Sequence, residues 1–287
     1  MRFIASQRRE KLTTLLLLLP GFATFFGLFV YPFIITIILS LRPEGQATGW
    51  TLEYYVGFLT SAHGREIIGL TFFLAIATTV FSVLLSVPLA LILRRKLRGH
   101  RFFRAVPLIP LVVPGLIGAL GLLLVFGSRG WFNLFLRDVL PFIHGPVAVN
   151  YTISGLTLFY IWLYFPFTLL TTLSTLEGLD PGIEEAAQVA GANPWSVFRH
   201  VVLPLIMPGI LSGSVLTFMN AFGAFSIPLV AGGNYRPLSV EVYKQIQLFI
   251  PARWSQACAI SVIMGVMQVV FLTFYMRVFS RKKGRQT

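Results

Sequence analysis

Charge is what this sequence has least of: only 11% of its 287 residues are charged, and acids are the rarer sign, ten Asp and Glu against 23 Lys and Arg. A soluble domain carries about 25% charged residues, so too little polar surface exists to clothe a water-soluble particle. A soluble enzyme is excluded first. The single cysteine, Cys258, excludes an internal disulfide and a thiolate metal cluster. The four histidines, His63, His100, His144 and His200, stand singly without an H-E-x-x-H pattern, and no Gly-Lys-Ser/Thr closes a phosphate loop. The sequence offers no ATPase or metal site of its own.

What is abundant is apolar: 56% of residues are hydrophobic and the mean hydropathy is +0.79. At roughly 20 residues per bilayer crossing, the length accommodates about six spans with modest loops. Six segments, 12–41, 67–93, 105–126, 152–173, 205–229 and 257–276, hold no Asp, Glu, Lys or Arg. A charge at the bilayer centre costs about 2.5 to 3.5 kcal/mol even on a lenient scale, so the pattern predicts an all-α polytopic membrane protein with six transmembrane helices. The first segment follows Arg2, Arg8, Arg9 and Lys11, as a signal peptide would, but is far longer than a signal's apolar region of about 7 to 15 residues. It reads as a retained anchor.

Basic residues set the orientation. Sixteen of the 23 fall in the N-terminus, the 94–104 loop, the loop holding Arg199 and the tail from Arg277. Both termini are therefore expected in the cytoplasm, with 1–11 a basic leader, 12–276 the six-span domain and 277–287 a basic tail. One loop departs from the rule. The segment 174–204 carries a single strong base, Arg199, against Glu177, Asp180, Glu184 and Glu185.

Within that loop, Asp180-Pro181 is an N-cap followed by a first-turn proline, and Glu184 and Glu185 lie where the helix dipole favours acids. Ile183, Ala186, Ala187 and Ala190 recur at the spacing of one helical face, with Glu184, Glu185 and Gln188 pointing elsewhere. Gly191 stops this helix. Asn193-Pro194 repeats the cap, predicting a second short helix over 195–202, ended by Pro204. Two helices joined at a glycine elbow are expected.

Glu185-Ala186-Ala187, three residues, Gly191, nine residues, then Val201-x-Leu203-Pro204 resembles the EAA loop of permease subunits of bacterial type I ABC importers, with Val201 in place of Ile as the sole departure. The resemblance implies that 174–204 is the coupling loop, seated in a cleft of a cytoplasmic ATPase through Glu184, Glu185, Ala186, Ala187, Gly191, Trp195, Leu203 and Pro204. It also implies a second permease subunit, a dimeric ABC ATPase holding ATP and Mg, a periplasmic solute-binding protein, and placement in the bacterial inner membrane. This chain would itself be no enzyme and bind no cofactor, metal or nucleic acid. A turn, Gly127-Ser128-Arg129-Gly130 with Asn133 beyond it, is similar to Gly-Arg-x-Gly-x-x-Asn turns of permeases for polyamines, aminophosphonates, ferric iron and thiamine, although the Arg falls one place late. An ordinary Gly-rich turn has the same composition.

A translocation path needs polar or aromatic groups on inner faces of spans. Tyr160, Tyr164, Asn220, Phe222, Phe225 and Gln268 are the candidates, although such residues also hold helices together. Gly209-x3-Gly213 and Gly115, Gly118 and Gly121 read as close-packing positions, and Pro107, Pro110 and Pro114 as a kink or break in the third span. Fused permease halves characterise several iron and thiamine systems resembling this one, so a 287-residue chain points to a polyamine or related amine-bearing solute. The alternatives are a permease of the same family for ferric iron, thiamine or another solute, and an ATP-independent secondary transporter; the latter predicts inverted repeats, broken midplane helices and usually an intramembrane charge, which the sequence does not announce.

Overall fold

Nearly every backbone N–H and C=O in a bilayer must be satisfied within its own segment, and among the described residues the apolar stretches are mainly helical. The computed structural model describes residues 17–43, 49–95, 99–139, 145–247 and 254–283. The basic leader 1–11, the start of the first span, Lys96, Arg98, Arg253 and the end of the tail with Arg285 lie outside the described residues. Contacts divide the chain into two units, Met1–Ser61 with Val242–Met267, and Ala62–Glu241 with Gln268–Thr287.

In chain order the helices are α1 (Leu17–Ser40), α2 (Glu53–Thr60), α3 (Ala62–Arg94), α4 (Arg101–Val112), α5 (Gly115–Val125), α6 (Trp131–Val139), α7 (Ile153–Glu177), α8 (Pro181–Val189), α9 (Pro194–Phe222), α10 (Ser226–Ala231), α11 (Leu238–Gln247) and α12 (Trp254–Lys283). Five of them, α1, α3, α7, α9 and α12 as far as Arg277, are long and apolar enough to cross a membrane, and α4 with α5 makes a sixth if that bent pair is one span. In the first unit, the end of α1 is tied to α2 by the hydroxyls of Ser40 and Tyr55, 2.5 Å apart.

The third span is not one helix. Its apolar segment forms two helices, α4 and α5, that meet at 106°, the geometry of a broken span or of a re-entrant loop. Val113, preceding Pro114, is extended (φ −79°, ψ 125°), as the proline ring requires of its predecessor. Pro114 continues extended, and α5 starts at Gly115, where a Cβ would lie 2.5 Å from Ser226 Oγ on α10.

The second unit is built on α3, α7 and α9, which pack against one another in pairs. Leu74, Leu156, Leu169, Leu176 and Ile206 are buried there, and a hydroxyl seam runs among them. Thr168 and Thr217 hydroxyls pair at 2.8 Å, Thr217 donates to the Tyr164 carbonyl at 3.2 Å, and Ser86 donates to that of Phe165 at 3.4 Å. Hydrocarbon chains are as apolar as leucine, so membrane helices associate through close approach of small residues and such polar bonds. Gly209 and Gly213 supply the close approach. A Cβ on Gly209 would sit 2.1 Å from Thr175 Oγ1, and one on Gly213 2.1 Å from Thr171 Oγ1. Gly118 meets Trp162 in the same way, whereas a Cβ on Gly121 would meet nothing within 4 Å.

Candidate functional site

Helix α7 runs to Glu177, so the loop 174–204 begins while the span is still helical. Asp180 then caps α8, its Oδ1 accepting from Gly182 N at 2.9 Å, with Pro181 in the first turn. The exit is a left-handed turn: Gly191 has φ +90°. Gly191 N donates to Gln188 O at 2.9 Å and Ala192 N to Ala187 O at 3.1 Å, the paired closing bonds of a glycine-terminated helix. Asn193 caps the next helix by accepting from Ser196 N at 2.8 Å. These caps and the elbow match the sequence reading.

The second helix does not end at Pro204. It continues as α9 to Phe222, one helix of 29 residues that joins the loop to a span without a joint. A proline in a regular helix clashes with the carbonyl four residues back and supplies no N–H. Here a wider π turn over Phe198–Val202, closed by Leu203 N on Phe198 O, precedes Pro204 and absorbs both defects. The same device, Phe26–Val30 closed by Tyr31 N on Phe26 O, carries α1 past Pro32.

The loop has an inner and an outer side. On the inner side Ala187, Ala192, Val197, Phe198, Val201, Val202 and Leu203 pack on Ala90 and Leu93 of α3, Leu169, Leu173 and Leu176 of α7, and Ile206 and Ile210 of α9. On the outer side Glu185, Ala186, Ala190, Gly191 and Pro204 are exposed, Val189 is 89% exposed and Trp195 66%. The Trp195 and Phe198 rings lie 5.5 Å apart. Of the apolar face expected from the sequence, only Ala187 turns inward, and Ile183, Ala186 and Ala190 remain uncovered. Glu184 instead turns toward α3 and pairs with Arg94, while Glu177 pairs with Arg104. A cavity of about 430 Å³ opens between α3 and the loop, lined by Leu91, Arg94, Arg95, Glu184, Gln188 and Phe198 among others. The two arginines escaped the sequence reading, although the excess of acids in the loop was the signal for them.

The six path candidates do not converge. Tyr160 is fully buried, Tyr164 nearly so, their rings 5.8 Å apart in the α3/α7/α9 core. Phe222 is buried against Phe72, ring centroids 5.1 Å apart. Gln268 of α12 donates to Met219 O of α9 at 3.1 Å and so joins two helices. Asn220 and Phe225 are exposed, and the Asn220 amide donates back to Leu216 O of its own helix at 2.8 Å. A packing feature absent from the candidates accompanies Gln268: Phe218 stacks on Phe271 at 3.7 Å, and the Ser214 and Tyr275 hydroxyls meet at 2.5 Å. The i, i+4 pairs Phe218/Phe222 and Phe271/Tyr275 were its signal in the sequence.

The Gly127 to Asn133 turn has a structural purpose. Asn133 is 7% exposed. Its amide donates to Gly127 O at 2.9 Å and its Oδ1 accepts from Val147 N at 2.7 Å, so it closes the end of α5 and pins the following segment. A Cβ at Gly130 would lie 2.3 Å from the carbonyl oxygens of Leu124 and Val125. Arg129 is exposed and takes no part in closing this turn.

An all-helical, multi-span body carrying a capped, elbowed loop fused to a span has the architecture of a transport permease. Residues 82–284 match the family of binding-protein-dependent transport system inner membrane components. The chain belongs to that family, the permease subunits of ABC transporters, and is not an enzyme. The molybdenum transport system permease protein ModB of Mycobacterium bovis is 33% identical over 177 residues, 60% of this chain and 64% of that relative's length. The spermidine/putrescine transport system permease protein PotB of Haemophilus influenzae is 28% identical over 231 residues, 79% of each chain. A crystal structure of a bacterial ABC transporter involved in the import of the acidic polysaccharide alginate superposes with a TM-score of 0.79, over 98% of this chain and 99% of that one, at 19% identity. That likeness shows the fold. The break between α4 and α5, expected from Pro107, Pro110 and Pro114, thus lies in a chain of this family.

Proposed function

We propose that this chain is the membrane-spanning half of an ATP-driven importer, moving a small amine-bearing solute such as a polyamine across the inner membrane. The observation that carries the reading is the two-sided loop. Its inner side is sealed onto α3, α7 and α9, and its outer side leaves Glu185, Ala186, Val189 and Trp195 uncovered. An exposed apolar patch next to a carboxylate wants a protein partner, and a cytoplasmic ATPase dimer holding ATP and Mg is that partner. When the ATPase closes, Trp195 and its neighbours are displaced. Since Pro194 to Phe222 is a single helix, the displacement passes directly into a span. A second permease completes the pore, and a periplasmic binding protein delivers solute from outside.

The polyamine assignment is supported by the spermidine/putrescine relative, which is similar over most of both chains. A second reading, a tetrahedral oxyanion, is favoured by the higher identity to the molybdenum relative and by the absence of any acid from the six apolar segments. Gentle detergent purification of the tagged chain, followed by mass spectrometry and an ATPase assay, tests the importer. An ATPase and a second permease are expected to come with it; a lone, monodisperse chain without ATPase would refute it. The binding protein recovered from the same operon or membrane, titrated with putrescine and with molybdate, separates the two solutes.

The proposed topology makes its own prediction. With the basic clusters inside, a reporter fused after Arg285 is expected to be active only if it folds in the cytoplasm. Activity of an export-dependent reporter such as alkaline phosphatase at that position would reverse the orientation.

A further inference from the structure

The loop 174–204 contains four acids against one strong base, an imbalance that the distribution of basic residues elsewhere does not explain. The structure accounts for each acid. Asp180 is occupied as an N-cap, and Glu185 is exposed. Glu184 pairs with Arg94, in the last turn of α3, and Glu177 pairs with Arg104, in α4. Arg104 also reaches the carbonyl of Leu93 at the end of α3, at 3.5 Å. The side chains of the first pair are 21% and 27% exposed, those of the second 35% and 37%.

Ion pairs this accessible contribute little to stability, so holding the fold together is not their main consequence. Their placement is. By chain connection the loop is attached to α7 and α9 alone. Apolar packing seats the loop on Ala90 and Leu93 of α3; the Arg94–Glu184 pair adds a directional tie to that helix, and the Arg104–Glu177 pair a tie to α4, which shares no covalent link with the loop nearby. Arg94 is further favoured where it is, a cation at a helix C-terminus.

We infer that Arg94 and Arg104 are positioning residues that make α3 and α4 move with the coupling loop, the Arg94–Glu184 pair by clamping α8 to α3 and the Arg104–Glu177 pair by linking α4 to the end of α7. The inference rests on the proposed coupling role of the loop. It divides the work of the acids: Glu185 faces the ATPase, while Glu184 and Glu177 face the chain's own spans.

The test uses the purified complex with its ATPase, in a Cys258→Ser background, with spin labels on Ile183→Cys of α8 and Ile92→Cys of α3, both exposed positions. Adding Mg-ATP with vanadate is expected to leave this distance unchanged in the otherwise native chain, because the two helices travel together. Arg94→Glu is expected to let the distance shift by ~2 Å or more, the scale of one helix sliding on another. The exchanged pair Arg94→Glu with Glu184→Arg is expected to abolish the shift again, and Arg94→Lys to suppress most of it. A distance that stays fixed in Arg94→Glu, or that already shifts in the native chain, overturns the inference while leaving coupling intact. If Gly191→Val alters ATP hydrolysis by the complex and Arg94→Glu alters neither hydrolysis nor distance, the clamp alone fails. If no ATPase accompanies the native chain, both the clamp and the coupling role fail.

Discussion

Gly191→Val is expected to leave the complex assembled and to lower solute uptake by about tenfold to a hundredfold, with ATP hydrolysis no longer tied to transport. The residue holds φ +90°, a conformation that costs a non-glycine residue about 1 to 3 kcal/mol, and a β-branched side chain lies at the upper end. Each 1.4 kcal/mol shifts an equilibrium by about tenfold, which sets the range. No clash adds to this, since nothing lies within 4 Å of where a Cβ would stand. The strain is relieved by opening the elbow, and with it go the bonds from Gly191 N to Gln188 O and from Ala192 N to Ala187 O. The exposed patches on α8 and at Trp195 then no longer present one surface. Because the cost is conformational, it should be graded: Gly191→Asn, whose side chain tolerates the left-handed region, is expected to retain most uptake, and Gly191→Ala to fall between. Uptake and hydrolysis measured on the same vesicles decide the matter. A valine variant indistinguishable from the native protein in both would remove the elbow from the mechanism.

The elbow could be read from the sequence because everything that makes it is local. Asp180 and Pro181, Gly191, Asn193 and Pro194 each act on the backbone within a few residues, and all appear in their expected positions. Prolines deeper in helices were harder to read for an equally physical reason. Pro88, Pro166 and Pro208 lie inside helices that continue past them, Pro204 is absorbed by a π turn, and Pro114 sits at a 106° break. A proline announces a missing N–H and a clash, but the surrounding packing decides whether the helix widens, bends or stops. At Pro114 two further prolines precede it and a glycine follows, so α5 can start afresh against Ser226.

The candidate site divides along the same line. Residue type picked out Tyr160, Tyr164 and Gln268 as polar or aromatic groups within spans, yet the structure uses them in the core and in a helix-to-helix bond. Type alone cannot tell a path from a seam, because the desolvation that makes a polar group costly in lipid is relieved equally by a neighbouring helix or by a channel. The partners of Glu177 and Glu184 were invisible for a related reason: Arg94 and Arg104 lie more than 70 residues earlier, and only the folded chain brings α3 and α4 to the loop.

Gly213→Leu is expected to abolish recovery of folded protein, because the glycines of α9 meet the backbone of α7 as well as its threonine side chains. A Cβ at Gly213 would lie 2.1 Å from Thr171 Oγ1 and 2.7 Å from the Thr168 Cα, and one at Gly209 would lie 2.7 Å from the Thr171 carbonyl oxygen. A flexible side chain can turn away from an intruder, but a helix backbone cannot, so the two helices must separate along their length. Separation breaks the Thr168–Thr217 pair and the bond from Thr217 to Tyr164 O, leaving hydroxyls in hydrocarbon. Overpacking costs about 1 to 3 kcal/mol where side chains can adjust, and the loss here should exceed that because they cannot. Size-exclusion profiles of the solubilised chain provide the measurement, with Gly121→Leu as the control, since nothing lies within 4 Å of a Cβ there. A monodisperse Gly213→Leu peak at native yield and thermal stability would mean that α7 and α9 are held by something other than this glycine-mediated approach.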